Sequence, residues 1–429
     1  MHIPRKKLWQ QAREYLCCLY NLAVRILLLN LYYPPDTSAT AKMAQSVVDA
    51  LAAAHEVTVV CGRPSYEPTE RRAWRLWQTE KPSRTAQQGD VKIIRVGSTD
   101  YSRTQMKQRV LNYLSYVALS VPRAAFVPCD VVVGMTDPPF EGIVAAFVAL
   151  LKGKPFVYNI RDMYPDMAVG GSIVEAGLLT RVWERLHRWA LRRATRVVVL
   201  GEDMRARIVA KGVRPERIAV VRDGAEICKA GAEPAVDPEV VRAIRGDFRF
   251  VLLHAGNLGF YGAWGTLVDT AQKLADEGVG LVFVGDGAQR AQIETAAAGD
   301  KNVRFLPFFP ATKIASVLAA ADAHVVTIKR GLEGVIVPSK MYGILAAGKP
   351  ILAVAPRESD VVKIGEERGF AISADPDDAS EVADAVRQIF RDAERLRKMG
   401  EAARVAANDY DKVDELRKFV RIVEEARLA

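Results

Sequence analysis

Residues 325–350, reading VVTIKRGLEGVIVPSKMYGILAAGKP, combine a short apolar strand, a charged loop and the start of a helix. The loop carries Lys329, Arg330, Glu333 and Gly334, and the helix opens with Pro338, Ser339 and Lys340. Proline suits the first helical turn, serine can cap it, and the N–H groups there attract anions. The segment therefore predicts a phosphate site, although an ordinary strand-to-helix turn with solvated charges has the same composition.

Two further glycine-containing turns follow apolar runs in the same half of the chain. The first comprises Gly256, Asn257, Leu258 and Gly259, and the second comprises Gly285, Asp286 and Gly287. Glycine lets the backbone approach a ligand closely, but it also serves simply to make a turn. A single turn of this kind is weak evidence. Three in succession favour a ligand pocket.

Polar loops also follow apolar runs in the first half. They carry Asp36, Thr37 and Ser38 in one loop, Asp137 in a second, and Arg161 and Asp162 in a third. Carboxylates at such positions either take part in chemistry or cap helices, because aspartate is also a preferred N-cap residue. The residues alone leave both interpretations open.

The elements that must position these loops are apolar runs separated by segments long enough for crossover helices. Strands are predicted at residues 24–30, 57–60, 91–96, 131–133, 156–160, 196–200, 250–254, 281–284, 303–306, 323–328 and 351–354. This alternation predicts α/β structure with parallel sheets. Since 429 residues exceed what one core usually organises, we expect two doubly wound, Rossmann-like domains facing a cleft.

The expected boundaries follow from composition. Residues 24–225 form an N-terminal domain, 226–247 a linker rich in alanine, proline and glutamate, and 248–400 a C-terminal domain. Residues 401–429 are charged and helical and are expected to pack back toward the first domain. Residues 1–23 carry apolar side chains at three- and four-residue spacing behind Arg5, Lys6 and Lys7, which predicts an amphipathic extension.

Cysteine and histidine usage argues against a metal site. The cysteines Cys17, Cys18, Cys61, Cys129 and Cys228 show no C-x-x-C spacing, and the histidines are scattered. We therefore expect no protein-bound metal, no disulfide framework and a reducing cytoplasm as the compartment.

Charge is uneven along the chain. Residues 1–224 hold 33 basic and 20 acidic side chains, whereas the remainder holds 27 and 31. A basic first half suits an anionic partner. The amphipathic extension and the cluster Arg71, Arg72, Trp74, Arg75 and Trp77 favour a membrane surface over nucleic acid, so we expect peripheral binding at the inner face of the cell membrane. Alternatively, the extension packs on the protein itself and the tryptophans lie in the core.

The chain contains, in this order, GNL, GDG, FLPF, a G-x-E-G loop and PSKxYxxLAAGKP, all preceded by YYPP and IRDxYPD. This succession of motifs resembles bacterial GT-B glycosyltransferases. It is most similar to family 4 enzymes of surface-polysaccharide and O-antigen assembly. The similarity runs from about residue 25 to the C-terminus. It implies a retaining enzyme that moves a sugar from a nucleotide-diphosphate donor, UDP- or GDP-linked, to a lipid-linked saccharide acceptor without an obligatory metal or other cofactor.

The resemblance also implies residue roles. The three C-terminal loops would hold the donor, Phe308 would lie at the nucleobase, Asp162 and Arg161 near the reacting centre, and Asp36, Thr37, Ser38 and Asp137 on the acceptor side. The family's usual glutamate pair is replaced by Val335 and Gly343, with Glu333 the nearest substitute. A nucleotide-sugar epimerase or hydrolase of this fold, or a noncatalytic binding protein, therefore stays open as an alternative.

Overall fold

The computed structural model describes residues 23–64, 77–80, 91–99, 101, 105–226 and 235–428. The chain divides into two compact units, which are Met1–Val157 with Val423–Ala429 and Tyr158–Ile422. The predicted amphipathic extension lies outside the described residues except for its last residue. Arg71, Arg72, Trp74 and Arg75 also lie outside them.

The strands of the described chain are β1 Arg25–Leu29, β2 Glu56–Gly62, β3 Trp77–Glu80, β4 Val91–Val96, β5 Val131–Gly134, β6 Phe156–Asn159, β7 Arg196–Val199, β8 Ile218–Val220, β9 Phe250–Ala255, β10 Val279–Val284, β11 Val303–Leu306, β12 Ala323–Thr327, β13 Ile351–Val354 and β14 Ala371–Ala374. In the first unit the strand order is β3-β4-β2-β1-β5. In the second unit β6, β7 and β8 lie side by side, and a six-stranded sheet has the order β11-β10-β9-β12-β13-β14.

The predicted parallel α/β architecture is confirmed. Strand β1 is parallel to β2 and β5, and β9 is parallel to β10 and β12. Each predicted strand is present within two residues of its predicted ends. The prediction missed β3, β8 and β14. Strand β3 is a polar edge strand antiparallel to β4, and β8 and β14 are too short to show a clear apolar run.

The helices of the described chain are α1 Ala39–Ala52, α2 Met106–Ala125, α3 Glu141–Lys152, α4 Asp166–Gly170, α5 Leu178–Arg193, α6 Glu202–Ala210, α7 Pro238–Arg245, α8 Trp264–Lys273, α9 Arg290–Ala296, α10 Ile314–Ala319, α11 Lys340–Ala346, α12 Asp360–Glu367, α13 Ala379–Arg391, α14 Ala393–Ala407 and α15 Lys412–Arg427. Short 3-10 turns lie at Pro215–Arg217, Ala311–Lys313 and Asn408–Tyr410. None of these helices is both long and apolar enough to cross a bilayer.

The inner strands of the six-stranded sheet are buried on both faces. All residues of β10 and β12 are buried, which is the pattern of parallel strands covered by helices on either side. One apolar cluster contains Leu281 and Phe283 from β10, and another contains Val282 and Val284. The sheet is therefore a rigid platform for the loops at its carboxyl edge.

The segment expected to be a linker contains helix α7. The Asp237 carboxylate accepts a hydrogen bond from Glu239 N at 2.9 Å, and Pro238 occupies the first helical position. Val240 and Ile244 pack in the cluster that contains Val282. Part of the expected linker therefore covers one face of the six-stranded sheet.

The C-terminal segment is helical, as its charge pattern indicated. It consists of α14 and α15, and the last residues, Val423–Ala429, belong to the first unit. Within that unit His55 Nε2 lies 3.0 Å from Glu424 Oε1. This contact ties the end of the chain to the loop before β2.

Candidate functional site

Three loops meet at one edge of the six-stranded sheet because the strands that precede them are neighbours. Strands β10, β9 and β12 lie side by side in parallel, and each leads directly into one of the glycine-containing loops. The carboxyl edge of an open parallel sheet is the usual ligand position in α/β folds. The topology therefore brings together the loops that the sequence singled out.

The first two loops approach each other so closely that only glycine fits. Gly256 has φ 143° and Gly285 has φ 147°. A Cβ atom on Gly285 would lie 2.0 Å from Gly256 O and 3.3 Å from Phe308 Cε1. The half-exposed Phe308 ring thus lies beside both glycines. Backbone rather than side chains lines this part of the site.

Hydrogen bonds hold the first two loops in register. Leu258 N donates to Asp286 O at 2.8 Å, and Gly256 N donates to Val284 O at 2.9 Å. The Asp286 carboxylate accepts from Gly287 N at 2.7 Å. A Cβ atom on Gly287 would lie 2.5 Å from Asn257 Oδ1, which shows how tightly the second loop packs on the first.

Lys340 is the cation at the centre of this edge. It is the first residue of α11, its Nζ atom lies 3.0 Å from His254 Nε2, and the Tyr261 ring centroid is 5.9 Å away. A Cβ atom on Gly256 would come within 3.4 Å of Nζ. Burial lowers the pKa of the Lys340 ammonium to about 7. In the described part of the chain no carboxylate forms an ion pair with it.

His254 and Tyr261 form the walls around that ammonium. His254 is fully buried, and its ring packs edge-on against Trp264 at 4.8 Å. Burial, and secondarily Lys340, lowers the pKa of His254 well below its usual value, so the imidazole is neutral. The Tyr261 hydroxyl donates to Asn257 O. Neither wall neutralises the charge of Lys340.

The rest of the charged loop is occupied by its own contacts. Arg330 donates to Asp375 and Asp377 at 2.6 Å each. Lys329 is exposed, and its backbone N–H donates to Tyr261 O at 2.7 Å. The guanidinium of Arg330 therefore already has two carboxylate partners, whereas the Lys329 ammonium faces solvent.

Glu333 and Gly334 anchor the loop to helix α6. Glu333 Oε1 accepts from Arg207 Nη2 at 2.8 Å, and its Oε2 accepts from Gly331 N at 2.8 Å. Gly334, with φ 67°, packs so closely that a Cβ atom would lie 2.5 Å from Asp203 O. These two residues shape the loop through contacts with its base.

Ser339 does not cap α11 as the sequence indicated. Its backbone is already helical, at φ −57° and ψ −24°, and its side chain makes no capping hydrogen bond. Pro338 O accepts from Met341 N at 3.1 Å, so the turn before the helix supplies that acceptor. The expectation of a serine cap was wrong because an N-cap side chain needs an extended backbone to reach back.

Asp162 lies near enough to Tyr261 for its carboxylate to act on the tyrosine hydroxyl. Burial is the main cause of the raised pKa of Tyr261, and the Asp162 carboxylate raises it further. Met163 N donates to Val335 O at 2.9 Å, which ties the loop after β6 to the Lys340 loop. Asp162 is thus close to the Lys340 site within the second unit.

Arg161, the neighbour of Asp162, has a different environment. Its guanidinium donates to the Asp223 carboxylate, and both side chains are largely buried. This ion pair joins the loop after β6 to the segment after β8. The contact orients the loop that carries Asp162.

The remaining predicted residues belong to the first unit, where β1 and β5 are neighbours. Asp36 is buried and follows β1, while Thr37 is exposed. Ser38 caps α1, since its Oγ accepts from Ala41 N at 3.1 Å. Leu31 N donates to Asp137 O at 2.7 Å. Adjacent loops of the first unit therefore carry Asp36 and Asp137.

Sequence reasoning missed several residues of the site. Tyr261 gave no signal beyond its place in a glycine-containing loop. Arg290 donates to Gly285 O at 2.6 Å and holds that carbonyl in place, but only the fold reveals the contact. His254 ends a predicted strand, so its position at the carboxyl edge was readable from the sequence.

Two family models match this chain. The description "Glycosyl transferase 4-like domain" covers residues 38–224, and "Glycosyl transferases group 1" covers residues 249–392. Together with the fold, these matches show that the chain belongs to the GT-B glycosyltransferases.

Curated relatives and solved structures agree with that class. The chain is 25% identical over 415 residues to WcaI of Escherichia coli (strain K12), provisionally named a colanic acid biosynthesis glycosyl transferase, covering 92% of this chain and 99% of WcaI. It is 27% identical over 263 residues to WbjE of Pseudomonas aeruginosa, provisionally named a glycosyltransferase, covering 61% of this chain and 66% of WbjE. The structure of Anabaena HepE with UDP and glucose matches at 17% identity and a TM-score of 0.65, covering 94% of this chain and 100% of HepE.

Proposed function

We propose that this glycosyltransferase moves a sugar from a nucleoside-diphosphate donor to a lipid-linked saccharide acceptor in polysaccharide biosynthesis, with retention of anomeric configuration. One observation carries the proposal. The partly buried ammonium of Lys340 has no carboxylate partner in the described chain, although charges withdrawn from solvent are normally paired. An anionic ligand would supply the missing partner. The UDP in the HepE structure and the name of WcaI support the donor class and the pathway.

The loops around Lys340 suit a diphosphate. The open backbone at Gly256 lets phosphate oxygens come close, and Lys340 supplies the positive charge. The exposed ring of Phe308 beside Gly285 offers a flat apolar surface for a nucleobase. These two regions, one suited to the diphosphate and one to the nucleobase, support a nucleoside-diphosphate donor, with UDP or GDP as the expected carrier.

The reaction needs charge stabilisation more than a strong nucleophile. As the bond between the anomeric carbon and the phosphate oxygen breaks, negative charge develops on the departing diphosphate, where Lys340 stabilises it. The sugar becomes positively charged, and the Asp162 carboxylate stabilises that charge from the Tyr261 side. The acceptor hydroxyl forms the new bond on the same face, and its proton passes to the departing phosphate oxygen.

A thermal-shift screen tests the donor site. UDP, GDP, ADP and their sugar conjugates are added to wild type, Lys340→Met and Lys329→Met. A ligand that binds only the native state stabilises it by about 2.7 kcal/mol at a concentration one hundred times its Kd. We expect one nucleotide to stabilise the wild type and Lys329→Met, and to lose its effect on Lys340→Met.

The control is the stability of the free Lys340→Met protein. Met removes an ammonium whose burial is unfavourable, so this variant should unfold at the same temperature as wild type or higher. A lost ligand shift would then not reflect misfolding. No shift with any nucleotide on wild type, or an undiminished shift on Lys340→Met, would contradict the proposed donor site.

A further inference from the structure

A second cavity opens at the start of helix α8, beside the loop that carries Tyr261. Its volume is about 480 Å³, within the range of about 300–1,000 Å³ that is typical of small-molecule sites. The walls come from α8, from α9 and from Gly171 and Ser172, which follow α4. All of these residues belong to the second unit. We call this cavity the α8 pocket.

The α8 pocket and the Lys340 site lie on either side of one loop. The Tyr261 ring faces Lys340, with its centroid 5.9 Å from Nζ, whereas the neighbouring residue Phe260 lines the pocket. Neither Lys340 nor the glycines Gly256 and Gly285 are among the described residues that line it. The pocket is therefore a neighbour of the donor site and not a part of it.

Ser172 has an uncommon backbone conformation at the rim of the pocket. Its φ of 56° lies in the left-handed region, which residues other than glycine seldom adopt. The preceding residue packs on the loop before α8, since a Cβ atom on Gly171 would lie 3.4 Å from Phe260 Cβ. Such conformations persist where the surrounding structure imposes them, and they cluster at ligand sites.

The side chains of the pocket suit a sugar. Phe260 is 41% exposed, and the buried residues Val268 and Ile293 supply apolar surface. Gln289 and Gln292 add two carboxamides, which have no hydrogen-bonding partner in the described chain. A sugar ring has an apolar C–H face that can lie on an aromatic ring, and its hydroxyls both donate to and accept from carboxamides.

The charges around the pocket favour a neutral ligand over an anion. Among the described residues that line it, Lys329 is the cation and Asp377 is the carboxylate. Asp377 accepts from Arg330 at 2.6 Å, and Arg330 also donates to Asp375. These four side chains carry no net charge together, so the pocket offers a phosphate much less than Lys340 does.

We propose that the α8 pocket binds a sugar of the acceptor other than the sugar that is glycosylated. The pocket adjoins the loop whose Tyr261 contacts both Lys340 and the Asp162 carboxylate. An acceptor of at least two sugars would present one hydroxyl to the anomeric carbon there and hold a second sugar against Phe260. The enzyme would thus extend a saccharide that an earlier glycosyl transfer has begun. This inference rests on the proposed function and specifies its acceptor class.

Saturation-transfer NMR tests the pocket without turnover. The probes are maltotriose, cellotriose and chitotriose, with and without the nucleotide selected by the thermal-shift screen. Wild type should transfer saturation to at least one probe, and the nucleotide should not displace it. Gly265→Leu should lose the signal, because a Cβ atom on Gly265 meets no atom within 4 Å and the leucine would fill this open space.

Two controls separate blocking of the pocket from misfolding. Ala291→Leu places the same side chain on an exposed position of α9 that does not line the pocket, so it should keep the wild-type signal. Gly265→Leu should unfold at the wild-type temperature or above, since leucine has a higher helix propensity than glycine.

Acceptor length tests the assignment of the pocket to the acceptor. A lipid-linked disaccharide is compared with a lipid-linked monosaccharide that has the same accepting sugar. Phe260→Ala should raise the KM for the disaccharide about fivefold, which is the contribution of one ring contact. The kcat, the KM for the monosaccharide and the affinity for the nucleotide sugar should not change.

Three results would overturn the proposal. The first is no saturation transfer to any of the three probes, or a signal that Gly265→Leu leaves unchanged. The second is displacement of the probe by the nucleotide, or a lost affinity of Gly265→Leu for the nucleotide sugar, since either would assign the pocket to the donor. The third is an equal rise in KM for both acceptors. Failure of the proposed function itself would show as probe binding without any sugar transfer.

Discussion

Binding of a nucleoside diphosphate should depend on pH through Lys340. Burial lowers the pKa of its ammonium to about 7 from an ordinary 10.5, so half of the free protein carries the charge at pH 7. A bound diphosphate stabilises the charged form and raises that pKa again. Binding should therefore take up a proton, and affinity should be lost as pH rises through 7.

The magnitude follows from the fraction of charged lysine. That fraction falls from about one half at pH 7 to about one hundredth at pH 9, so the affinity for UDP should fall about fiftyfold, or about 2 kcal/mol. His254 and Tyr261 do not titrate in this interval, because burial lowers the pKa of the first and raises that of the second. The phosphates of UDP are already ionised above pH 7.

Isothermal titration calorimetry at pH 7, 8 and 9, in buffers of different ionisation enthalpy, measures both the affinity for UDP and the number of protons taken up on binding. At pH 8 the wild type should take up about 0.9 proton for each UDP bound. Lys340→Met should bind weakly with no pH dependence, while Lys329→Met should keep the wild-type slope because its ammonium is exposed. A constant wild-type affinity between pH 7 and 9, or the same slope in Lys340→Met, would refute the reasoning.

Two further predictions concern the loops. Gly285→Ala should lower the melting temperature and remove UDP binding, because its Cβ atom would lie 2.0 Å from Gly256 O. Gly265→Ala places a Cβ atom in open space on helix α8, so it should raise the free energy of unfolding by about 0.5–1 kcal/mol. Equal changes in the melting temperature of the two variants would contradict the close approach of Gly285 to Gly256. Arg161→Met should cost about 3–5 kcal/mol in urea unfolding by leaving the Asp223 carboxylate buried, and adding Asp223→Asn should recover part of that loss. No recovery would argue against an ion-pair role.

The fold was largely predictable because buried parallel strands leave a clear mark in a sequence. Runs such as residues 281–284 are continuous and apolar, and glycine-rich turns separate strand from helix. Helix α7 was missed because a helix of two turns has few apolar positions from which to read a period. Its Asp237-Pro238 start was the available signal.

Side-chain partners in the site could not be predicted in the same way. Arg330 pairs with Asp375 and Asp377, and Glu333 pairs with Arg207, across long separations in the chain. Such choices depend on tertiary contacts that no local pattern encodes. The position of Lys340 at the start of a helix was readable from the sequence, but the burial that lowers its pKa was not.

Glycosyl transfer from a nucleotide sugar with retention, as we propose, is tested most directly by NMR of the reaction products. The wild type is incubated with the nucleotide sugar selected by the thermal-shift screen and a lipid-linked saccharide acceptor. Nucleoside diphosphate should be released only when acceptor is present, and the product should have the anomeric configuration of the donor. Free sugar or an isomerised donor formed without acceptor, or a product of inverted configuration, would contradict it.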